Sequence, residues 1–330
     1  MGRRRSIWHS LPTEALHPES ANLDRLPPGA LLELLSKEDR KVVTAVEAEA
    51  PRIARAALAL ARALSRGGRV FFAGAGTSGR LGVLEAAECP PTFGTLPDRI
   101  VGLIAGGGEA VHRAVEGAED REGDGRRLLR ARRLRPEDLV VGISASSVTP
   151  FVRGALDFAR ERGASTVLVT CAPGARGLRR LADIVVAPRV GAELLAGSTR
   201  MKAGTATKLV LNRMTLLAMV RLKKVYGPFM VELRPGSAKL RDRARRIVET
   251  LASVDSERAS KLLEQVGDVK TAVAMGRLGI SSTEARRRLA RRKGDLRAVL
   301  SSADARARSR PRPAPARPRA RKRKPRARPS

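Results

Sequence analysis

From Arg69 to Arg80 the chain reads RVFFAGAGTSGR. Its first five residues are an apolar run of strand length, and Gly74 ends it. A helix is expected to follow from Ser78 to Ala87. A buried strand passing through a glycine loop into a helix is the repeating unit of a parallel sheet. The alternation recurs along the chain. Ile100 to Ala105, Leu139 to Ser144, Ser165 to Thr170 and Ile184 to Ala187 read as further strands, and Pro150 to Arg162 as a helix between two of them. Upstream, Lys41 to Leu64 has apolar positions at helical spacing. Pro51 is expected to kink or split that stretch, and Gly67-Gly68 to end it. The fold class is therefore α/β, a doubly wound parallel sheet flanked by helices.

Past Thr199 the pattern turns helical. Lys202 to Val225 reads as one long helix, Ala238 to Leu251 as another, and Asp255 to Leu300 as three short ones with their own apolar core. The expected division is an N-terminal arm (1–40), a sheet domain (41–235), a small helical C-terminal domain (236–302) and a basic tail (303–330).

That tail bears on the charge. The 330 residues carry 65 Lys and Arg against 33 Asp and Glu, a net +32. Of this, +11 falls in the 28 residues from Ala303, with six prolines and no large apolar side chain. Such a segment cannot bury enough surface to offset its ordering entropy, so it is expected to be disordered. It is the segment with the charge to hold polyanions nonspecifically. Aromatic residues are only 2%, which argues against a base-stacking platform for single strands. Cys89 and Cys171 are too few for a disulfide framework and lack metal-ligand spacing. No metal and no cofactor is expected. No apolar run approaches the roughly 18 residues of a membrane span, and MGRRRS at the start is not followed by an apolar leader segment. The expectation is a cytoplasmic protein with no membrane partner.

In parallel sheets, ligands bind outside the carboxyl ends of the strands. That rule selects the loops where chemistry-bearing residues concentrate. Gly74, Gly76 and Gly79 satisfy a G-x-G-x-x-G pattern, and Thr77 and Ser78 add hydroxyls at a helix start that attracts anions. No acidic residue ends the following strand, so a dinucleotide is disfavoured. Ser144, Ser146, Ser147 and Thr149 crowd a second strand-to-helix junction, more hydroxyls than a helix cap requires. A phosphate monoester would use them. Ser198, Thr199 and Lys202 open the long helix and again favour an anion. Carboxylates stand at Glu85 and Glu88, and at Glu116, Glu119 and Asp120. Two of them near one phosphate would suit paired acid and base chemistry. The sequence does not say which face a cleft. Pro90-Pro91 is expected to stop the helix just after Glu88.

These motifs, in this order, resemble the N-acetylmuramic acid 6-phosphate etherases, a family of the sugar isomerase (SIS) fold. The matching text includes Thr13-Glu14, Asn22-Leu23-Asp24, GAGTSGRLGVLEAAECPPTFG from Gly74, VGLIAGG from Val101, AVEGAED from Ala114, GAE from Gly191 and GSTRMKAGTATKLVLN from Gly197. It spans roughly Thr13 to Leu300. The resemblance implies an SIS-type sheet, a homodimer and a sugar-phosphate ligand. It also implies a reaction without metal or redox cofactor: the lactyl ether is eliminated and water is added, giving N-acetylglucosamine 6-phosphate and D-lactate in cell-wall sugar recycling. By position, Glu88 and Glu119 match the family's catalytic carboxylates. Glu88 would be the acid at the ether oxygen and Glu119 a candidate base at carbon 2. Gly76, Thr77, Ser78, Ser144, Ser146, Thr149, Ser198, Thr199 and Lys202 would bind the phosphate and the substrate.

One loop departs from the family. Its usual A-S-G-R-T-P is here Ala145-Ser146-Ser147-Val148-Thr149-Pro150, so a glycine has become Ser147 and a cation has been lost at Val148. The Cys171-Ala172-Pro173 turn also carries Ala where the family usually has Asn. Three alternatives fit the same motifs less fully: a non-catalytic sugar-phosphate sensor like the glucokinase regulatory protein, an SIS-type sugar-phosphate isomerase, and a nucleic-acid regulator.

Overall fold

The computed structural model describes residues 11–173 and 178–301, with the backbone alone at 178 and 179. The basic tail lies outside the described residues. Two helices lead in, α1 (Pro28–Glu47) and α2 (Ala50–Ser65). They are separate helices, and Pro51 sits in the first turn of α2, where a missing N–H costs nothing. Then β1 (Val70–Gly74), α3 (Gly76–Phe93), β2 (Ile100–Ile104), α4 (Glu109–His112), α5 (Glu122–Ala131), β3 (Leu139–Ile143), α6 (Pro150–Glu161), β4 (Ser165–Val169), α7 (Leu178–Leu181) and β5 (Ile184–Val186) alternate along the chain.

The five strands form one sheet in the order β2-β1-β3-β4-β5, and every pairing is parallel. Both faces are covered, as a continuous apolar strand requires. On one face Phe72, Val141 and Val167 pack with Val42, Leu60 and Leu211 from the helices. On the other, Phe71, Val140 and Leu168 pack with Leu129, Phe151 and Leu156. The doubly wound sheet expected from the alternation is the observed one. Its order reverses between β1 and β3, which opens a crevice above the carboxyl ends of those two strands.

Helix α8 (Lys202–Arg221) crosses the first face, packed on α2, α1 and α3. It is shorter than the expected Lys202 to Val225, because Lys223 adopts a left-handed turn (φ 62°). The chain then makes a small hairpin, β6 (Val225–Tyr226) and β7 (Phe229–Met230). Helices α9 (Ala238–Ala252), α10 (Ser256–Val266), α11 (Val269–Leu278) and α12 (Ser282–Arg291) follow, around a separate core that includes Val248, Leu262, Val273 and Leu289. Ser237, Asp255, Asp268 and Ser281 each cap one of these four starts through the side chain.

Two further boundaries differ from expectation. Helix α1 begins at Pro28, not Lys41. Its leucines gave no clear periodicity because Leu32 is 64% exposed while Glu38 is buried. Helix α3 does not stop at Pro90-Pro91 but runs on to Phe93 and ends at Gly94 (φ 61°). Pro90 and Pro91 remove the N–H donors that would serve the Ala86 and Ala87 carbonyls, so the loss is confined to the last turn of the helix. Among the described residues no helix is long and apolar enough to cross a membrane.

Candidate functional site

The crevice between β1 and β3 is a cavity of about 280 Å³. Ala75 to Ser78 form one wall and Ala145, Ser146, Thr149 and Pro150 the opposite one. Glu119 and Asp120, together with Gly197 and Thr199, complete the rim, and the N-terminal Thr13 and Glu14 close it.

The first wall owes its shape to close backbone approach. A Cβ on Gly74 would sit 2.7 Å from the Gly79 nitrogen, and one on Gly79 would sit 2.6 Å from Ile104. Those two glycines let α3 start directly over the strand end. Gly76 has φ 51° and open space where a Cβ would be, so its need is conformational. The N-cap residue Ala75 offers no side-chain acceptor, and the first N–H donors of α3 stay available to a ligand. Arg80, at the end of the glycine motif, donates from Nε to the Val111 carbonyl (3.0 Å).

The second wall is a hydroxyl loop with an internal scaffold. Ser144 is buried and shares a hydrogen bond of 2.8 Å with Thr149, fixing the Thr149 side chain from behind. Ser146 and Thr149 line the cavity; Ser144 does not. Ser147 has φ 68°, a left-handed conformation that glycine adopts without strain. Its side chain turns inward, buried, with Oγ 2.6 Å from Thr170 Oγ1. Thr170 Oγ1 in turn donates to the Ala145 carbonyl (3.1 Å). The serine thus keeps the loop conformation and puts nothing into the cavity. Val148 is half-buried and is not a lining residue.

The carboxylates separate clearly. Glu119 and Asp120 line the cavity, and the Phe151 amide at the start of α6 donates to the Glu119 carbonyl (3.0 Å), tying that loop to the second wall. Glu116 is exposed and away from it. Glu88 lies on the exposed face of α3 and lines no part of the cavity within this chain. Glu85 is buried and paired with Lys208 (3.3 Å). Beside them the Cys89 thiol is pushed up to about 12 by burial and by the charges of Glu85 and Glu88. Burial raises Cys171 to about 12 as well. Neither is poised as a thiolate nucleophile.

The third anion-attracting motif is built differently. Thr199 reaches the cavity, but Ser198 and Lys202 do not line it. The start of α8 is already occupied. Glu193, 2% exposed, accepts from the amides of Lys202 (3.0 Å) and Ala203 (2.9 Å). The Lys202 ammonium turns away and binds Glu38 at 2.6 Å, with both side chains buried. Lys41 and His17 (3.2 Å) complete that cluster. Burial alone would raise the Glu38 carboxyl, but hydrogen bonds from Lys202 and Lys41 outweigh it and bring it down to about 2. The placement of Lys202 at a phosphate therefore does not hold: a buried ammonium with a buried carboxylate partner is not free for a ligand.

Among the described residues, no lysine, arginine or histidine lines the cavity. An anion there would be held by hydroxyls and helix starts. Among the described residues no group of three or more His, Cys, Asp and Glu is placed to hold a metal. Thr13 and Glu14 are among the lining residues that the sequence did not assign to the site, and they come from outside its expected loops. Their place in the quoted motif was the signal, since the three-residue turn that carries them has no periodicity of its own.

The family model of the glucokinase regulatory protein N-terminal SIS domain matches residues 52–160. An N-acetylmuramic acid 6-phosphate etherase of Rubrobacter xylanophilus is 50% identical over 88% of this chain and 96% of its own length. One of Gloeobacter violaceus is 53% identical over 80% of this chain and 87% of its own length. Among solved structures, an E. coli CFT073 protein determined in a ligand complex is 21% identical, with a TM-score of 0.42, over 59% of this chain and 94% of that one. With about half of its residues identical to those of the two etherases over most of both lengths, the chain belongs to the N-acetylmuramic acid 6-phosphate etherase family.

Proposed function

We propose that the protein is an N-acetylmuramic acid 6-phosphate etherase, a carbon–oxygen lyase of the cytoplasm. The observation that carries this is the meeting of a carboxylate, Glu119, with two hydroxyl-lined helix starts in one crevice. The phosphate sits against the starts of α3 and α6, held by Thr77, Ser78, Ser146, Thr149 and backbone N–H groups. The opened sugar has an aldehyde that acidifies carbon 2. Glu119 removes that proton, the electron pair forms the carbon 2–carbon 3 double bond, and the ether oxygen leaves carbon 3 as D-lactate, protonated by Glu88. Water then adds at carbon 3 and a proton returns to carbon 2, giving N-acetylglucosamine 6-phosphate. The division into sheet domain (41–235), helical domain (236–302) and polyanion-holding tail (303–330) is part of the same proposal.

Glu88 reaches a cavity only if a second copy supplies it. It lies one turn from Leu84 on the exposed face of α3. Leu84 is 42% exposed, and Leu216, Leu217 and Val220 on α8, which packs beside α3, are about half exposed. An apolar face of this kind suits a homodimer with composite sites.

The test is lactate release from the phosphorylated muramic sugar. Wild type releases it, and Glu119→Gln and Glu88→Gln each lose on the order of 10²–10⁴ in rate. Mixing the two variants restores release if Glu88 comes from the partner. Sugar-phosphate binding without lactate would favour a sensor. A ketose phosphate product would favour an isomerase.

A further inference from the structure

The turn Pro12–Glu14 has no role in the reaction as written, yet two of its residues wall the cavity. Thr13 is 5% exposed, and its Oγ1 is buried without a hydrogen-bond partner among the described residues. Buried hydroxyls are nearly always paired, because water's hydrogen bonds are lost on burial and must be replaced. Thr95 and Thr215 share this condition, but of the three only Thr13 lines the cavity. The Glu14 carboxylate is also unpaired among the described residues. It packs on the turn before α8, with Oε2 3.0 Å from where a Gly197 Cβ would be.

The turn is held in place. Leu11, just before it, is buried. His17, just after it, is buried with Nε2 3.2 Å from Glu38, and its Nδ1 accepts from the Glu19 amide (3.2 Å). Glu38 is the partner of Lys202 at the root of α8. The N-terminal segment is therefore fixed to the same cluster that sets the α8 end of the rim. Two unpaired polar groups on a fixed wall are a prearranged contact for a ligand.

We propose that Thr13 and Glu14 are binding residues for the sugar portion of the substrate. A carboxylate accepts hydrogen bonds and repels phosphate, so Glu14 does not serve the phosphate end. An N-acetylated amino sugar offers the matching donors: ring or chain hydroxyls and an amide N–H. The two ends of the cavity then divide the work, with hydroxyls and helix starts for the phosphate and the N-terminal turn for the sugar. This rests on the sugar-phosphate reading above, but not on catalysis.

The experiment is calorimetric binding of N-acetylglucosamine 6-phosphate and, separately, inorganic phosphate to the full chain, with thermal melts of the ligand-free protein. Thr13→Val and Glu14→Gln are expected to weaken the sugar phosphate about tenfold or more while leaving inorganic phosphate within about twofold. Thr13→Val should keep or raise the ligand-free Tm, since it removes a buried unpaired hydroxyl without changing shape. Unchanged sugar-phosphate affinity in both variants overturns the proposal. So does a parallel loss of phosphate affinity, or a fall in the ligand-free Tm of Thr13→Val. If wild type binds no sugar phosphate, the proposal falls with the site reading. If it binds but releases no lactate, only the etherase reading falls, and the variants still decide the role of the turn.

Discussion

The starts of α3 and α8 look alike in sequence, each a run of glycine and hydroxyl residues before a long helix. In the fold they are opposites. At α3 the N-cap is Ala75, no side chain caps the helix, and the exposed donors border the cavity. At α8 the N-cap is Met201, also without a side-chain cap of its own, but Glu193 bonds two amides from outside the helix. A helix start attracts an anion in either case. What differs is whether the protein has already supplied one. The cation beside it follows suit: Lys202 neutralises the buried Glu38 and leaves the ligand side of the rim, among the described residues, without positive charge.

The sharpest way to break this contrast is Lys202→Met. It leaves Glu38 buried without its 2.6 Å partner. Removing one member of a buried ion pair costs about 3–5 kcal/mol when the other is left uncompensated; Lys41 and His17 remain beside Glu38, so a loss toward the lower end is expected, to be read as a lower midpoint in denaturant. If Lys202 served the ligand instead, substrate affinity would fall and stability would hold.

Acid probes the same cluster from the other side. Glu38 is held near 2 against an ordinary value of 4.5. A depressed folded value stabilises above the unfolded value and is lost as pH falls through the folded one, so the window runs from about pH 4.5 down to 2. The shift is worth roughly 3 kcal/mol. Wild type should lose that much across the window in pH-dependent denaturation, and Glu38→Gln should flatten the loss. Glu193→Gln is milder. It keeps one acceptor but loses charge at the α8 start, which should cost about 1–2 kcal/mol of stability with substrate affinity little changed.

These two helix starts also show how far the sequence could be read. The alternation of strand and helix was legible because the strands of a covered parallel sheet are continuous apolar runs, as in Val70–Gly74 and Leu139–Ile143. The loops of the crevice were legible because they follow the carboxyl ends of parallel strands, whereas the neighbouring of β1 and β3 that brings them together is set by the strand order of the fold. The partner of Lys202 was not legible. Glu38 lies 164 residues away, on a helix that buries this charge along with Val42 and Val46 and leaves Leu32 exposed, so no local pattern marks it. Nor could periodicity choose among carboxylates. Glu116 and Glu119 are three residues apart in one loop, and only the fold puts the second at the cavity. Glu88 sits on a legible helix, but nothing in the helical pattern says that it lies outside the cavity of its own chain.

On the open side of the contrast, Thr77→Val should behave in the reverse sense to Lys202→Met. Thr77 lines the cavity, and its methyl group is 3.5 Å from where a Gly204 Cβ would lie, so valine keeps that packing. The loss is one hydroxyl donor to the phosphate, about fivefold to tenfold in affinity for inorganic phosphate or sugar phosphate by calorimetry. Thermal stability should not change.

The smallest effect is expected at Ser147, in the hydroxyl loop of the second wall. Ser147 carries a left-handed φ of 68°, which costs a residue with a Cβ about 1–2 kcal/mol relative to glycine. Against that, its buried hydrogen bond to Thr170 contributes about 0.5–1.5 kcal/mol. Ser147→Gly relieves the first and loses the second, so stability should stay within about 1 kcal/mol of wild type. Ser147→Ala keeps the strained backbone and loses the bond, and should fall below both. Turnover of the phosphorylated sugar by Ser147→Gly should match wild type within about twofold, because the serine side chain points away from the cavity. A tenfold gain would mean instead that the serine obstructs the ligand. Thr170 then becomes informative, since Thr170→Val removes the inward partner of Ser147 together with the donor to the Ala145 carbonyl, and a Ser147→Gly background separates the two losses. If the inward bond is what keeps Ser147 out of the cavity, affinity for the sugar phosphate should fall in Thr170→Val and recover in Thr170→Val combined with Ser147→Gly.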